Sequence, residues 1–436
     1  MKYSIYILLF LFLSLNFSCS TEEADIVAID ESAEESDDSS DDDNDSEEEM
    51  NNDEDEEEGE GDSDDEENDD DESEENEEES EEGSDDGMEE DNNEEDNMDD
   101  MTDEEEDSMD MDDMMEGDND MMDNGDGNSG MASSVVALNG QLHVDGAHIR
   151  NQNNEIVQLR GMSLFWSQYS GDFYNANVVE WLKNDWQISI IRAAMGIQEP
   201  MGFLVNPEQE KQKVFTIIDA AIEQGIYVIV DWHSHNAENE VDQAVAFFSE
   251  VAQRYGNRPN IIYETYNEPI EATWNETLKP YHETVIAAIR QHDPNNIVVC
   301  GTRFFSQRVD EVIGNEIDDP NVAYTLHYYA STHGQELRDY TQQAIDNNLA
   351  IFVTEYGVTE ATGDGFINTS ESRIWWDFLD RNNISHCNWS IFDKDESSSV
   401  LVSGASTRGQ WPTSMLKQAG RLVRDEIRAK NTDFGN

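Results

Sequence analysis

Six short runs place chemically capable side chains at or just after apolar, β-branched segments. They are Arg192; Asp231-Trp232-His233-Ser234-His235; Tyr266-Asn267-Glu268-Pro269; His327-Tyr328-Tyr329; Thr354-Glu355-Tyr356-Gly357; and Asn388-Trp389-Ser390. A lone carboxylate in such a place is commonly an ion-pair partner or a helix cap. Two glutamates at the ends of two strands, with His, Tyr, Arg and Trp at the others, form a rarer set. The chemistry it suits is acetal cleavage. One carboxylic acid must protonate the departing oxygen, and a second carboxylate must stabilise or trap the oxocarbenium-like centre. Glu268 is expected to act as acid/base and Glu355 as nucleophile. At a separation of about 5–5.5 Å the second group attacks directly and configuration is retained.

These residues need strands that converge on one face. Apolar strand segments are predicted at 158–164, 188–195, 227–233, 261–267, 297–302, 323–329, 351–356 and 386–391. Helical period follows at 207–224, 241–255, 279–292, 336–347, 370–382 and 413–429. Pro207 and Pro280 stand where a first helical turn tolerates a missing N–H, and Gly225 and Gly256 where helices end. Near-continuous apolar strands alternating with helices indicate a parallel sheet covered on both faces. Eight such units predict an α/β fold of the (β/α)8 barrel type, whose active face collects the C-terminal strand ends. Residues 135–158, with Asn139-Gly140 and Asp145-Gly146 turns, read as a hairpin closing the barrel bottom. No Gly-rich phosphate loop follows the first strand, and no His/Cys/Asp cluster has metal-ligand spacing. No cofactor and no metal are expected.

The 436 residues carry 103 acidic against 23 basic side chains, a formal charge of −80. Residues 20–130 hold 62 of the acids and no Lys or Arg, and every Trp, His and Pro lies after them. That segment repels itself and has little apolar surface to bury, so it is expected to be a disordered acidic linker. Residues 131–436 form the expected single catalytic domain. Its own acidic excess argues against nucleic acid as a partner, and a monomer is expected. Lys2 and a short apolar run ending at Asn16-Phe17-Ser18-Cys19 read as an export signal over residues 1–19. The run resembles a bacterial lipoprotein signal, with Cys19 the lipidated residue that would hold the protein at the cell envelope or outer membrane. Ordinary cleavage and secretion is the plainer alternative.

Longer runs carry a more specific likeness. Arg192-Ala193-Ala194-Met195, Asp231-Trp232-His233, Leu326-His327-Tyr328-Tyr329-Ala330 and Thr332-His333-Gly334-Gln335 are similar to bacterial endoglucanases of glycoside hydrolase family 5, subfamily 2. Ala361-Thr362-Gly363-Asp364-Gly365 and the stretch from Asn388-Trp389-Ser390 to Lys394-Asp395-Glu396-Ser397-Ser398 continue the likeness. The resemblance implies a retaining endo-β-1,4-glucanase acting on cellulose and related β-glucans. It gives Asn267 the sugar 2-hydroxyl at the cleavage subsite, and gives Arg192 and Tyr329 the task of keeping Glu355 ionised. His233 and His327 would bind hydroxyls and orient the acid. Trp389 would stack under the cleavage-subsite ring, with Lys394 and Glu396 holding a sugar beyond it on the non-reducing side. Phe165 stands where one branch has His, and Leu164-Phe165-Trp166-Ser167 matches another; Trp166 is expected to be a stacking platform there.

Plainer readings accompany these. His233 alone would suit a hydrogen-bonded core position, and His235 fits site or core equally. Trp375 and Trp376 fall on an outer helix, where at least one should pack. Cys300 and Cys387, in strands that are not neighbours, should be buried free thiols. A hydrolase of mannan, xyloglucan or mixed-linkage glucan uses the same two acids, and a non-catalytic glycan-binding lipoprotein is the alternative from another class.

Overall fold

The computed structural model describes residues 134–432. The export signal, Cys19 and the acidic segment 20–130 lie outside the described residues. A hairpin, β1 (His143–Asp145) with β2 (His148–Arg150), precedes eight parallel strands. These are β3 (Arg160–Leu164), β4 (Ile190–Gly196), β5 (Tyr227–His233), β6 (Ile261–Glu264), β7 (Val298–Cys300), β8 (Val322–Tyr329), β9 (Ile351–Gly357) and β10 (His386–Ile391). They pair in sequence order, and β10 returns beside β3 with His386 opposite Arg160, closing the (β/α)8 barrel. Strands β4 to β10 are buried from end to end, which explains their lack of apolar/polar alternation.

The outer layer runs through α1 (Val135–Asn139), α2 (Ser167–Ser170), α3 (Ala176–Trp181), α4 (Pro207–Gln224), α5 (Val241–Tyr255) and α6 (Lys279–Arg290). After a short turn α7 (Arg303–Ser306), with Phe304 and Phe305 at positive φ, it continues with α8 (Gln335–Asp346), α9 (Thr369–Asn382) and α10 (Gln418–Lys430). Helix α4 begins on Pro207 and stops at Gly225, whose φ of 66° lets its N–H bond back to Ala221 and Ile222. Its inner face buries Val214, Ile217, Ile218 and Ala221 against the barrel, each large apolar side chain contributing about 1.5–3 kcal/mol.

Three expectations change. Residues 135–139 form α1 rather than hairpin, because Ser134 Oγ accepts from the Ala137 N–H at 3.2 Å and caps a turn. The hairpin proper sits under the N-terminal strand ends, where the Val144 N–H donates to Asn321 Oδ1, just before β8, at 3.1 Å. Residues 413–429 divide into a 3-10 turn at Thr413–Met415 and then α10. Helix α3 was not anticipated, since a π-turn at Leu182–Trp186 interrupts its period. Cys300 and Cys387 are buried free thiols on β7 and β10, and both Trp375 and Trp376 pack into the core.

Candidate active site

A cavity of about 510 Å³ opens at the C-terminal strand ends. Glu268, Glu355, His233, His235, His327, Tyr329, Trp166, Trp389, Lys394 and Glu396 all line it. Glu355 belongs to β9, while Glu268 stands four residues beyond β6, where the Glu268 N–H donates to the Ser234 carbonyl at 3.2 Å. One oxygen of each carboxylate and a ring nitrogen of His327 lie within 4.8 Å of one another.

Arg192 does not end its strand, as the sequence suggested; it is the third residue of β4 and is fully buried. A charge survives inside the barrel because other charges meet it there. Arg192 Nε and Nη2 donate to Glu264 at 2.7 and 3.2 Å, Nη1 to Glu355 Oε2 at 2.8 Å, and Nη2 to Asn267 Oδ1 at 2.7 Å. Asp231 Oδ2 lies 2.9 Å from Nη2 and 2.6 Å from His233 Nδ1. Burial pushes Asp231 well above the ordinary carboxylate range; Arg192 opposes this and the charges of Glu264, Glu355 and Glu268 add to it. Burial, with Arg192 beside it, keeps His233 neutral.

Each glutamate has its own partners. Glu355 Oε1 accepts from Tyr329 OH at 2.7 Å while Oε2 takes the Arg192 donor. Burial raises Glu355, with the Glu268 charge adding to it and His327, Arg192 and Tyr329 pulling it down. Both oxygens accept from groups that hold their protons, so the contacts fit the carboxylate form. Glu268 Oε1 lies 2.8 Å from His327 Nδ1, and Oε2 lies 3.7 Å from His235 Nδ1. Thr354 Oγ1 donates to Glu264 at 2.6 Å, so it accepts from His327 Nε2 at 2.9 Å. Burial opposes a charge on His327, but hydrogen bonding to Glu264 and Glu268 and the charges of Glu355 and Glu268 lift it to about 9. Burial likewise raises Glu268, yet the His327 hydrogen bond and charge bring it below the ordinary value. At neutral pH the pair therefore holds one proton along a 2.8 Å contact. Glu268, His327 and Glu355 are close enough to share a cation, but with Nδ1 and Nε2 both donating, His327 offers no lone pair to one.

The aromatic wall is built around Trp389, whose ring lies parallel to His233 at 5.2 Å and tilted against Phe165 at 5.2 Å. Trp166 meets His233 edge-on at 4.3 Å and stacks on His235 at 5.7 Å. Lys394 forms an ion pair with Glu396 and stands 5.5 Å above the Phe165 ring. Sequence reasoning missed Glu264, which lies within a strand counted as apolar, and Phe305 at the cavity rim. The signal for Glu264 was a carboxylate inside the run Ile261-Ile262-Tyr263-Glu264, which needs a buried cation such as Arg192.

Residues 150–395 match the cellulase family, glycosyl hydrolase family 5. The chain is 48% identical over 273 residues to endoglucanase Z of Dickeya dadantii, covering 62% of this chain and 62% of that one. It thus spans less than two thirds of that relative's length. A solved structure from Cytophaga hutchinsonii is similar at 51% identity and a TM-score of 0.68, over 69% of this chain and 98% of the other. The catalytic domain of Thermobifida fusca endoglucanase Cel5A, solved with cellotetraose, is 32% identical with a TM-score of 0.65, over 68% and 99% of the two chains. With more than half of its length inside the family match, the chain belongs to the cellulase family, glycosyl hydrolase family 5.

Proposed function

We propose that the protein is an endo-β-1,4-glucanase that hydrolyses internal bonds of cellulose and soluble β-glucans with retention of configuration. The observation that carries this reading is the 4.8 Å limit on the separation of Glu268 and Glu355 oxygens. Inverting enzymes hold their carboxyl groups about 6.5–9.5 Å apart to seat a water, so this closer approach favours direct attack by the second acid. In the first step the Glu268–His327 pair passes its proton through Glu268 to the glycosidic oxygen. Glu355 attacks the anomeric carbon as the C–O bond breaks, giving a glycosyl ester and a free aglycone. In the second step Glu268 takes a proton from water, the water oxygen attacks the same carbon, and the ester bond to Glu355 breaks.

The other residues serve these steps. Arg192 and Tyr329 keep the Glu355 oxygens aimed and ionised. Arg192 also fixes Asn267 by its Oδ1, leaving Nδ2 without a partner among the described residues and able to donate to the sugar 2-hydroxyl. Trp389 offers an indole face to the pyranose ring, and Trp166, Lys394 and Glu396 extend the wall to the next sugars. His233, held neutral, binds hydroxyls. Cellotetraose in the Thermobifida fusca relative supports a chain of glucosyl units as ligand. Initial rates on carboxymethylcellulose, galactomannan and xyloglucan test the specificity. Cleavage should be fastest on the first and lost in Glu355→Ala; no cleavage of carboxymethylcellulose would overturn the glucanase reading.

We further propose export, with Cys19 lipidated and residues 20–130 a solvated spacer between membrane and barrel. Radiolabelled palmitate should enter the wild-type chain and not Cys19→Ala; equal labelling would contradict the anchor.

A further inference from the structure

On the flank of the barrel, a second groove of about 450 Å³ lies between α3 and the loop that follows β10. It shares no lining residue with the catalytic cavity. One wall is a helical stripe at i, i+3, i+4 and i+7: Asn177, Glu180, Trp181 and Asn184. The other is Arg408 and Gln410.

The groove is preformed. Asn175 caps α3 and donates through Nδ2 to the Thr407 carbonyl at 2.8 Å, tying loop to helix. Trp411 Nε1 donates to the Ser406 carbonyl at 2.6 Å and closes the loop on itself. Between them Gly409, at a φ of 74°, lies so near Trp181 that an added Cβ would stand 2.5 Å from the Trp181 Cβ. A side chain there would push the walls apart.

Apart from Asn184, whose Oδ1 accepts from Lys183 Nζ at 3.2 Å, the lining is chemically idle. Among the described residues, the side chains of Asn177, Glu180, Arg408 and Gln410 take part in no hydrogen bond or ion pair, and Trp181 Nε1 has no partner. All four of those side chains are exposed, around a half-buried indole. Amide, carboxylate and guanidinium groups that ring an indole suit a ligand with apolar C–H faces and hydroxyl edges. Residues 131–436 hold 41 acidic against 22 basic side chains, which disfavours anionic polymers, and Glu180 and Arg408 offset each other at the groove itself, which suits a neutral glycan.

We propose that this groove is a second, non-catalytic binding site for a β-1,4-glucan chain, centred on Trp181. It rests on the glucanase reading for the identity of the polymer. A site on the flank adds a contact to a long chain held in the cleft and raises the effective concentration of polymer at the enzyme. A short oligosaccharide gains nothing from it.

The test compares full-length protein with Trp181→Ala and Arg408→Ala/Gln410→Ala, the second pair being exposed residues whose loss leaves the core intact. In a Glu355→Ala background, adsorption to microcrystalline cellulose should weaken about fivefold to tenfold in both variants. In the active background, kcat/KM on cellotetraose should stay within about twofold of wild type. Adsorption equal to the parent in both variants overturns the proposal. A wild-type chain that leaves cellotetraose uncleaved would instead refute the glucanase reading, whatever the adsorption result.

Discussion

Arg192 Nη1 and Glu355 Oε2 lie 2.8 Å apart in the barrel interior, the arginine fully buried and the glutamate side chain nearly so. The guanidinium reaches Glu355 from a strand that is not its neighbour, so it couples the proposed nucleophile to the far side of the barrel. It also holds Glu264, Asp231 and Asn267.

Removing that cation leaves buried carboxylates without compensation. Arg192→Met should lose about 3–5 kcal/mol of stability, the usual cost of breaking a buried pair from one side. Chemical denaturation and initial rates would check this, with kcat falling at least about a hundredfold. Unchanged stability would mean that the acids are protonated and the network is not ionic.

Tyr329 has a narrower task. Tyr329→Phe removes the hydroxyl that donates to Glu355 Oε1 at 2.7 Å and leaves the ring. A hydrogen bond to a charged acceptor contributes about 1.5–3 kcal/mol, so kcat should fall by about tenfold to a hundredfold. Stability should fall by at most about 1.5–3 kcal/mol, less than in Arg192→Met because the ring stays and Arg192 still pairs with Glu355, which separates the two variants in a thermal melt.

The pH profile follows from the Glu268–His327 pair. Its proton is present below the raised His327 value and is lost as pH rises through about 9. Hence kcat/KM should hold through neutrality and decline near pH 9. His327→Gln removes the group that stores the proton, so the alkaline limb should move to lower pH and kcat should fall. An alkaline limb that stays near 9 in the variant would assign it to another group.

Buried histidines set the response to acid. Burial lowers His282 to about 4 and His386 to about 3 from an ordinary value of 6.5. The unfolded chain takes up these protons near 6.5 and the folded chain does not, so the stabilisation is complete above that value. It is lost as pH falls from 6.5 toward 4 and then 3. Melting temperature should drop steadily over this window, and His282→Gln should flatten the slope.

Much of this arrangement could be read before folding, for a physical reason. A strand buried on both faces excludes polar side chains, so Glu268, His327, Glu355 and Trp389 stood out against apolar runs. Helices α4 and α5 matched their predicted bounds because Pro207, Gly225 and Gly256 punctuate them. Glu264 escaped because its need for Arg192 becomes visible only when β4 and β6 face a common interior. The approach of the two glutamates to within 4.8 Å depends on closure of the ring, which no local pattern encodes. Helix α3, and with it the groove at Trp181, was hidden by the π-turn that breaks its period.

Covalent trapping bears most directly on the proposed chemistry. A 2-fluoro cellobiosyl inactivator, incubated with the enzyme and followed by peptide mass mapping, should leave one glycosyl ester on Glu355. A label on Glu268, or full activity with no label after long incubation, would contradict a double displacement by this pair.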